Sequence, residues 1–190
     1  MPPAMEGSGR KRRRRTHQRL GVLMRRERRR GRRVQPRFSL SQLGVTWLGA
    51  LVAVALLGLL SLWSGHVLIT APLGASSVLL FGYPSSPLAQ PRNLVLGNGL
   101  GAFIGLVLHH LFGQSTWVLA AAVALTVLLG QRLRCLHPPA GGMAFLVVFL
   151  GAAWSFLLFP VLIGSLALVL LAWAFSTWMP GALPYPRHWL

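Results

Sequence analysis

Two short apolar stretches of this chain open with proline and small residues. They read APLGASSVLLFG at 71–82 and HPPAGGMAFLVV at 137–148. Pro72 corresponds to Pro138, Ala75 to Gly141 and Ser76 to Gly142. Proline cannot continue a helix from the segment before it. A helix therefore restarts at each stretch, and its first N–H groups have no intrahelical partner. Those groups, with the helix dipole, favour an anion. The candidate substrate contacts in and near the two starts are Pro72, Gly74, Ser76, Ser77, Gln90, Arg92, Asn93, Asn98, His137, Pro138, Pro139, Gly141 and Gly142. Most are uncharged, and Arg92 can steer anions at a mouth. A plainer reading of the same residues is a pair of packing breaks, whose freed backbone groups are satisfied by neighbouring side chains.

His137 stands at the edge of an apolar run. Proton exchange, ligand contact and helix capping are its candidate roles. His109 and His110 are adjacent, so a helix does not put them on one face. An interfacial position suits them better than a metal site. No HExxH, GxSxG or phosphate loop occurs. No nucleophile–base pair is visible, and we expect no catalytic residue, metal or cofactor.

The elements that must position these residues follow from charge. Of 190 residues, 19 are Lys or Arg and 2 are Asp or Glu. Residues 1–37 hold both acids and 15 of the basic residues. Residues 38–190 hold four Arg (Arg92, Arg132, Arg134 and Arg187), no Lys and no acid. A water-soluble domain carries about a quarter charged residues. This composition excludes an ordinary soluble globule, and it excludes carboxylate chemistry within the apolar part. The single cysteine, Cys135, excludes an internal disulfide framework.

Six charge-free stretches, at 43–64, 67–83, 94–112, 117–130, 136–153 and 154–179, predict an all-α, multi-pass transmembrane protein. The expected architecture is about six membrane-embedded helices: four full spans plus the two Pro/Gly-opened elements. The first run starts too late and is too long for a cleaved signal peptide. Basic residues favour the cytoplasmic side. With the N-terminus inside and six crossings, all four remaining Arg fall on that side. If the two opened elements turn back instead, Arg92, Arg132 and Arg134 fall outside. Each opened element follows an apolar helix that begins at a Trp (Trp47, Trp117) and precedes one with a proline near its start (Pro91, Pro160). The chain thus reads as an inverted 3+3 repeat, a pattern found in transporters.

Gly97, Gly101 and Gly105 form GxxxGxxxG, which lets a helix approach closely. Contact within the protomer is the default, and a homo-oligomer face is the alternative. Residues 1–37 read as a disordered Arg-rich cytoplasmic arm that attracts anionic lipid headgroups. No aromatic residue interleaves the arm before Phe38, so specific nucleic-acid binding is unsupported. Residues 38–180 form the transmembrane domain, and 181–190 a short tail.

The segments APLGASSVLLFGYPSSPLAQPRN at 71–93 and LHPPAGG at 136–142 resemble the HPP family of integral membrane proteins. That family is named for the triplet found here as His137, Pro138 and Pro139. The resemblance covers roughly residues 40–180. It implies a multi-pass protein, usually with four spans. Plastid members are implicated in nitrite transport. A His commonly follows the PRN segment in that family, where this sequence has Asn98. Taken together, the expectation is passage of a small, nitrite-like anion at the two broken helices. The expected location is a bacterial-type inner membrane, less so a plastid membrane. The rival is a non-transporting structural protein whose arm binds anionic lipid or nucleic acid.

Overall fold

The computed structural model describes residues 21–24, 27 and 38–189. The chain divides into two units, Met1–Ser39 and Leu40–Leu190. In the first, residues 21–24 and 27 are helical. Most of the arm expected over 1–37 lies outside the described residues.

The second unit is all-α. Its helices are α1 (Leu40–Ser64), α2 (Ala71–Gly82), α3 (Pro91–Phe112), α4 (Thr116–Arg132), α5 (Pro138–Leu150) and α6 (Ile163–Trp178). A single 3₁₀ turn, Pro87–Ala89, precedes α3, and a wide π-type turn, Leu157–Leu162, leads into α6. Three segments are long and apolar enough to cross a membrane: Leu40–Ser64, Pro91–Phe112 and Leu157–Trp178. The fourth expected span, α4, has 17 residues, or about 26 Å of helix. The two Pro/Gly-opened elements are shorter, with 12 residues in α2 and 13 in α5. Each extends about 18–20 Å, well under the ~30 Å of a hydrocarbon core.

The local reasons for these boundaries are readable. Thr70 and His137 precede α2 and α5 in extended conformation, and neither side chain caps its helix. Proline occupies the first turn of each, where its missing N–H costs no helical bond. Ser115 caps α4 by accepting from the Val118 N–H at 3.3 Å. Gly151 ends α5 in the left-handed region (φ 60°, ψ 42°), which favours glycine. The expected span at 154–179 starts late, because Phe159 is extended (φ −119°, ψ 117°) ahead of Pro160.

Helix α3 is the hub and packs on α4, α5 and α6. The other principal pairs are α1 with α2 and α6, α2 with α5 and α6, and α4 with α5. Leu57, Leu73, Leu80, Leu94, Met143 and Leu168 fill the core between them. The outer surface is apolar as well: Leu62, Trp63, Trp117, Phe149 and Trp178 are exposed. An apolar exterior over an apolar core suits lipid as the solvent.

The glycine stripe faces inward. A Cβ on Gly97 would sit 2.6 Å from the His137 Cβ and 2.8 Å from the Cys135 carbonyl oxygen. One on Gly101 would strike the Ala140 carbonyl, and one on Gly105 would lie 2.8 Å from the Ala144 carbonyl. The stripe is therefore the seat of α5 within the protomer. That close approach brings the start of α5 against the middle of α3.

The tail after α6 folds back. Ser176 Oγ donates to the Tyr185 carbonyl at 2.8 Å, and the Tyr185 hydroxyl donates to the Ala89 carbonyl at 3.0 Å. Burial raises the Tyr185 phenol pKa above its ordinary value. The unfolded phenol ionises near pH ~10, whereas the docked one stays protonated there. Docking stability is thus full below that pH and is lost as pH rises through the folded value. Tyr185→Phe is expected to remove one hydrogen bond, about 1 kcal/mol, and this alkaline loss. Amide exchange of residues 84–90 against pH, in wild type and variant, reads both effects.

Candidate functional site

The two broken helices lie side by side and antiparallel. Ser76 of α2 meets His137 at the start of α5 (Oγ to Nε2, 2.9 Å). One turn earlier in α2, Pro72 faces Gly142, one turn later in α5. The starts of the two helices therefore overlap.

A buried polar cluster forms at this overlap. Asn98 Nδ2 donates to Ser76 Oγ at 3.3 Å and to Ser165 Oγ at 3.2 Å. The other His137 nitrogen, Nδ1, lies 2.8 Å from the Leu88 carbonyl oxygen. Ser76 Oγ is also 2.9 Å from the carbonyl of Pro72. Ser76, Asn98 and Ser165 are fully buried and His137 is nearly so. Asn98 Oδ1 is buried with no partner, and such a group destabilises a fold unless something else justifies it. The cluster takes Ser76 from α2, Asn98 from α3, Ser165 from α6, and His137 from the entry to α5.

The hydrogen directions follow from chemistry. A carbonyl oxygen only accepts, so Nδ1 carries a proton toward Leu88. In the neutral ring Nε2 is then bare; the single Ser76 proton can go to the Pro72 carbonyl or to Nε2, and only the second satisfies the buried imidazole. Ser76 Oγ can only accept on its other side, so Asn98 must present its NH₂ there. This fixes the amide orientation and leaves Oδ1 as the unpartnered atom.

Other sequence-predicted residues sit elsewhere. Ser77 bonds back to the Leu73 carbonyl of its own helix at 3.0 Å. Gln90 is fully buried. It donates to the carbonyls of Pro84 (3.0 Å) and Ser86 (2.8 Å) and accepts from the Arg187 N–H (2.8 Å), so it clasps the tail to the 84–90 loop. Arg92 Nη2 donates to the Leu133 carbonyl at 3.0 Å, and Asn93 Nδ2 to the Leu136 carbonyl at 2.8 Å. Both pin the segment that delivers His137. Pro72, Pro138, Pro139 and Gly142 line an apolar cleft of about 900 Å³ between α2 and α5. Gly141 borders a cavity of about 30 Å³ beside His137. Gly74 has open space where a Cβ would stand.

Two partners were not foreseen. Ser165 is a lone hydroxyl in the run IGSLALVLLAWAF; an isolated polar residue in an apolar span was the available signal. The Leu88 carbonyl carried none, since it depends on the chain returning through the one-turn helix. The sequence displayed no nucleophile–base pair, yet the fold places a serine hydroxyl at hydrogen-bond distance from a histidine.

The chain matches the HPP transmembrane-region family over residues 35–186. Two curated transmembrane proteins of Dictyostelium discoideum are similar to it. One is 32% identical over 162 residues, 79% of this chain and 56% of the relative. The other is 31% identical over 154 residues, 75% of this chain and 50% of the relative. The chain spans about half the length of these relatives. No solved structure matches it. With apolar helices long enough to span, Pro-opened elements packed in pairs and the His-Pro-Pro triplet at the centre of the packing, this chain belongs to the HPP family of multi-pass membrane proteins.

Proposed function

We propose that the protein passes a small inorganic anion of nitrite size across the membrane, with its substrate site at the cluster of Ser76, Asn98, His137 and Ser165. One observation carries this: four polar side chains converge where two interrupted helices overlap antiparallel. Interrupted helices that meet inside the membrane are where transporters place their sites. The packing supports the inverted 3+3 repeat. Exchanging α1 with α4, α2 with α5 and α3 with α6 maps the set of principal helix pairs onto itself. The pairs α2–α5 and α3–α6 map onto themselves, and the cluster lies between them.

The charges support a cytoplasmic N-terminus. Arg92 reaches Leu133, beside Arg134, and the Arg187 N–H reaches Gln90. These cations gather at one end of the domain, as basic residues on the cytoplasmic side would. A bacterial-type inner membrane is the setting we favour. The Ser76–His137 pair has nucleophile–base spacing, but it is buried and its imidazole is oriented by a carbonyl. We read it as a binding pair, not a catalytic one.

The structural rival draws on Gln90, Arg92 and Asn93, which all bond backbone carbonyls. Anion uptake by sealed proteoliposomes holding the purified full chain decides between them. Nitrite, nitrate, formate and chloride are compared with empty vesicles. Saturable, selective uptake is expected. Absence of uptake by correctly inserted protein overturns the transport reading, and deletion of residues 10–33 then tests the arm.

A further inference from the structure

The Ser76 hydroxyl has two acceptors at the same distance. Its oxygen is 2.9 Å from His137 Nε2 and 2.9 Å from the Pro72 carbonyl oxygen. It has one proton to give. While the imidazole is neutral the proton points to Nε2, for the reasons given above. If Nε2 gains a proton, it donates to Ser76 Oγ, and the hydroxyl turns to Pro72. Asn98 Nδ2 donates to the same oxygen in both states. Either state satisfies the serine and the imidazole with the heavy atoms left in place.

We infer that each anion crosses together with one proton, so that the species moved is in net terms an undissociated weak oxyacid, with His137 Nε2 as the proton site and the Ser76 hydroxyl as its switch. This rests on the transport reading above. In the transfer the acid's O–H bond breaks and its electron pair stays on the anion. An N–H bond forms at Nε2, and release reverses both. No electron is exchanged.

Two further observations point the same way. A bare anion in a buried, uncharged cluster carries a large desolvation cost, which a co-bound proton cancels. Asn98 Oδ1 is an acceptor without a donor, and an arriving undissociated acid can donate its O–H there before the proton passes to Nε2. Among the described residues, the other titratable groups near this point are Cys135 and Tyr185, whose hydroxyl is held by the Ala89 carbonyl beside Leu88. Helices α2, α5 and α6 and the turn Pro87–Ala89 contain none. On α3, Arg92 is held at Leu133, and His109 and His110 lie in the last turn. Arg132 on α4 and Arg134 beyond it are exposed. Cys135, two residues before His137, is a buried thiol.

The test uses the full chain in proteoliposomes loaded with a pH-sensitive dye, with the potential clamped by potassium and valinomycin. Nitrite and formate, anions of weak acids, are compared with nitrate and chloride, anions of strong acids. We expect nitrite and formate to enter with equimolar acidification at a rate that changes less than twofold with potential. Nitrate and chloride should lag at least tenfold. Ser76→Ala should cut acid entry at least tenfold, and Ser76→Thr, which keeps the hydroxyl, should restore most of it. Uptake that follows the potential without acidification overturns the proton, while transport stands. No uptake of any anion removes the transport reading itself. Nitrogen-15 NMR of His137, assigned by His137→Gln, gives an answer independent of flux. The Nδ1–H tautomer is expected, and an Nε2–H tautomer in the resting protein overturns the switch.

Discussion

Gly101→Ala is expected to destabilise the purified protein severely, whereas Gly74→Ala leaves its stability unchanged or raises it. The two changes are chemically identical and both fall inside helices. In a helix interior alanine is better than glycine by about 0.5–1 kcal/mol, because the glycine backbone loses more freedom on folding. At Gly74 nothing lies within 4 Å of the added carbon, so that gain is free to show. At Gly101 the added carbon strikes the carbonyl of Ala140. This is backbone of α5, which cannot swing away as a side-chain tip would. Relief requires α5 to shift off α3, the pair with the most extensive packing in the domain. Overpacking costs about 1–3 kcal/mol where side chains can adjust, and a backbone clash belongs at or above the top of that range. Thermal unfolding in one detergent, monitored through the tryptophans, separates the two variants by sign. Equal effects would mean that α5 does not rest on the glycine stripe.

That contrast also shows what could be read from the chain alone. The GxxxGxxxG spacing revealed a close helix approach, but not which helix fills it, because spacing describes one surface and its partner is a tertiary fact. The two Pro/Gly-opened elements were legible for a stronger reason: proline and small residues act on the backbone locally. The stretches read at 71–82 and 137–148 fall on helices Ala71–Gly82 and Pro138–Leu150 for that reason. His137, Ser76 and Asn98 stand out in the sequence as uncharged donors near the two breaks, and the fold brings these three together. Gln90 and Asn93 are uncharged donors near the same breaks and Arg92 a charge placed to steer anions, yet the fold assigns all three to backbone carbonyls in loops. Residue type states what a side chain can donate. It does not state whether a ligand or a neighbouring carbonyl receives it.

On the transport reading proposed above, Asn98→Leu is expected to hold the protein's melting temperature and to cut anion uptake at least tenfold. Leucine keeps the branched four-atom skeleton of asparagine and removes the amide, but its two methyl groups are bulkier in a fully buried site. Two hydrogen bonds are lost, from Nδ2 to Ser76 and to Ser165. Both hydroxyls can do without them: Ser76 keeps the His137 ring, and a helical serine can bond back to the carbonyl four residues earlier. The unpartnered acceptor, Asn98 Oδ1, disappears too. A buried polar atom with no partner destabilises by about 1–3 kcal/mol, while a made hydrogen bond contributes about 1 kcal/mol. Fitting the bulkier leucine costs about 1–3 kcal/mol where neighbours must adjust, so the terms nearly offset and the melting temperature should stay close to that of the wild type. On the transport reading, anion uptake should fall at least tenfold, because the proposed site loses its amide. Lost activity with stability held marks a residue kept for function. If Asn98 serves only to hold α3 to α2 and α6, both quantities fall together. Measuring melting temperature and uptake on the same preparation tells the two apart, since a misfolded variant cannot keep the melting temperature of the wild type.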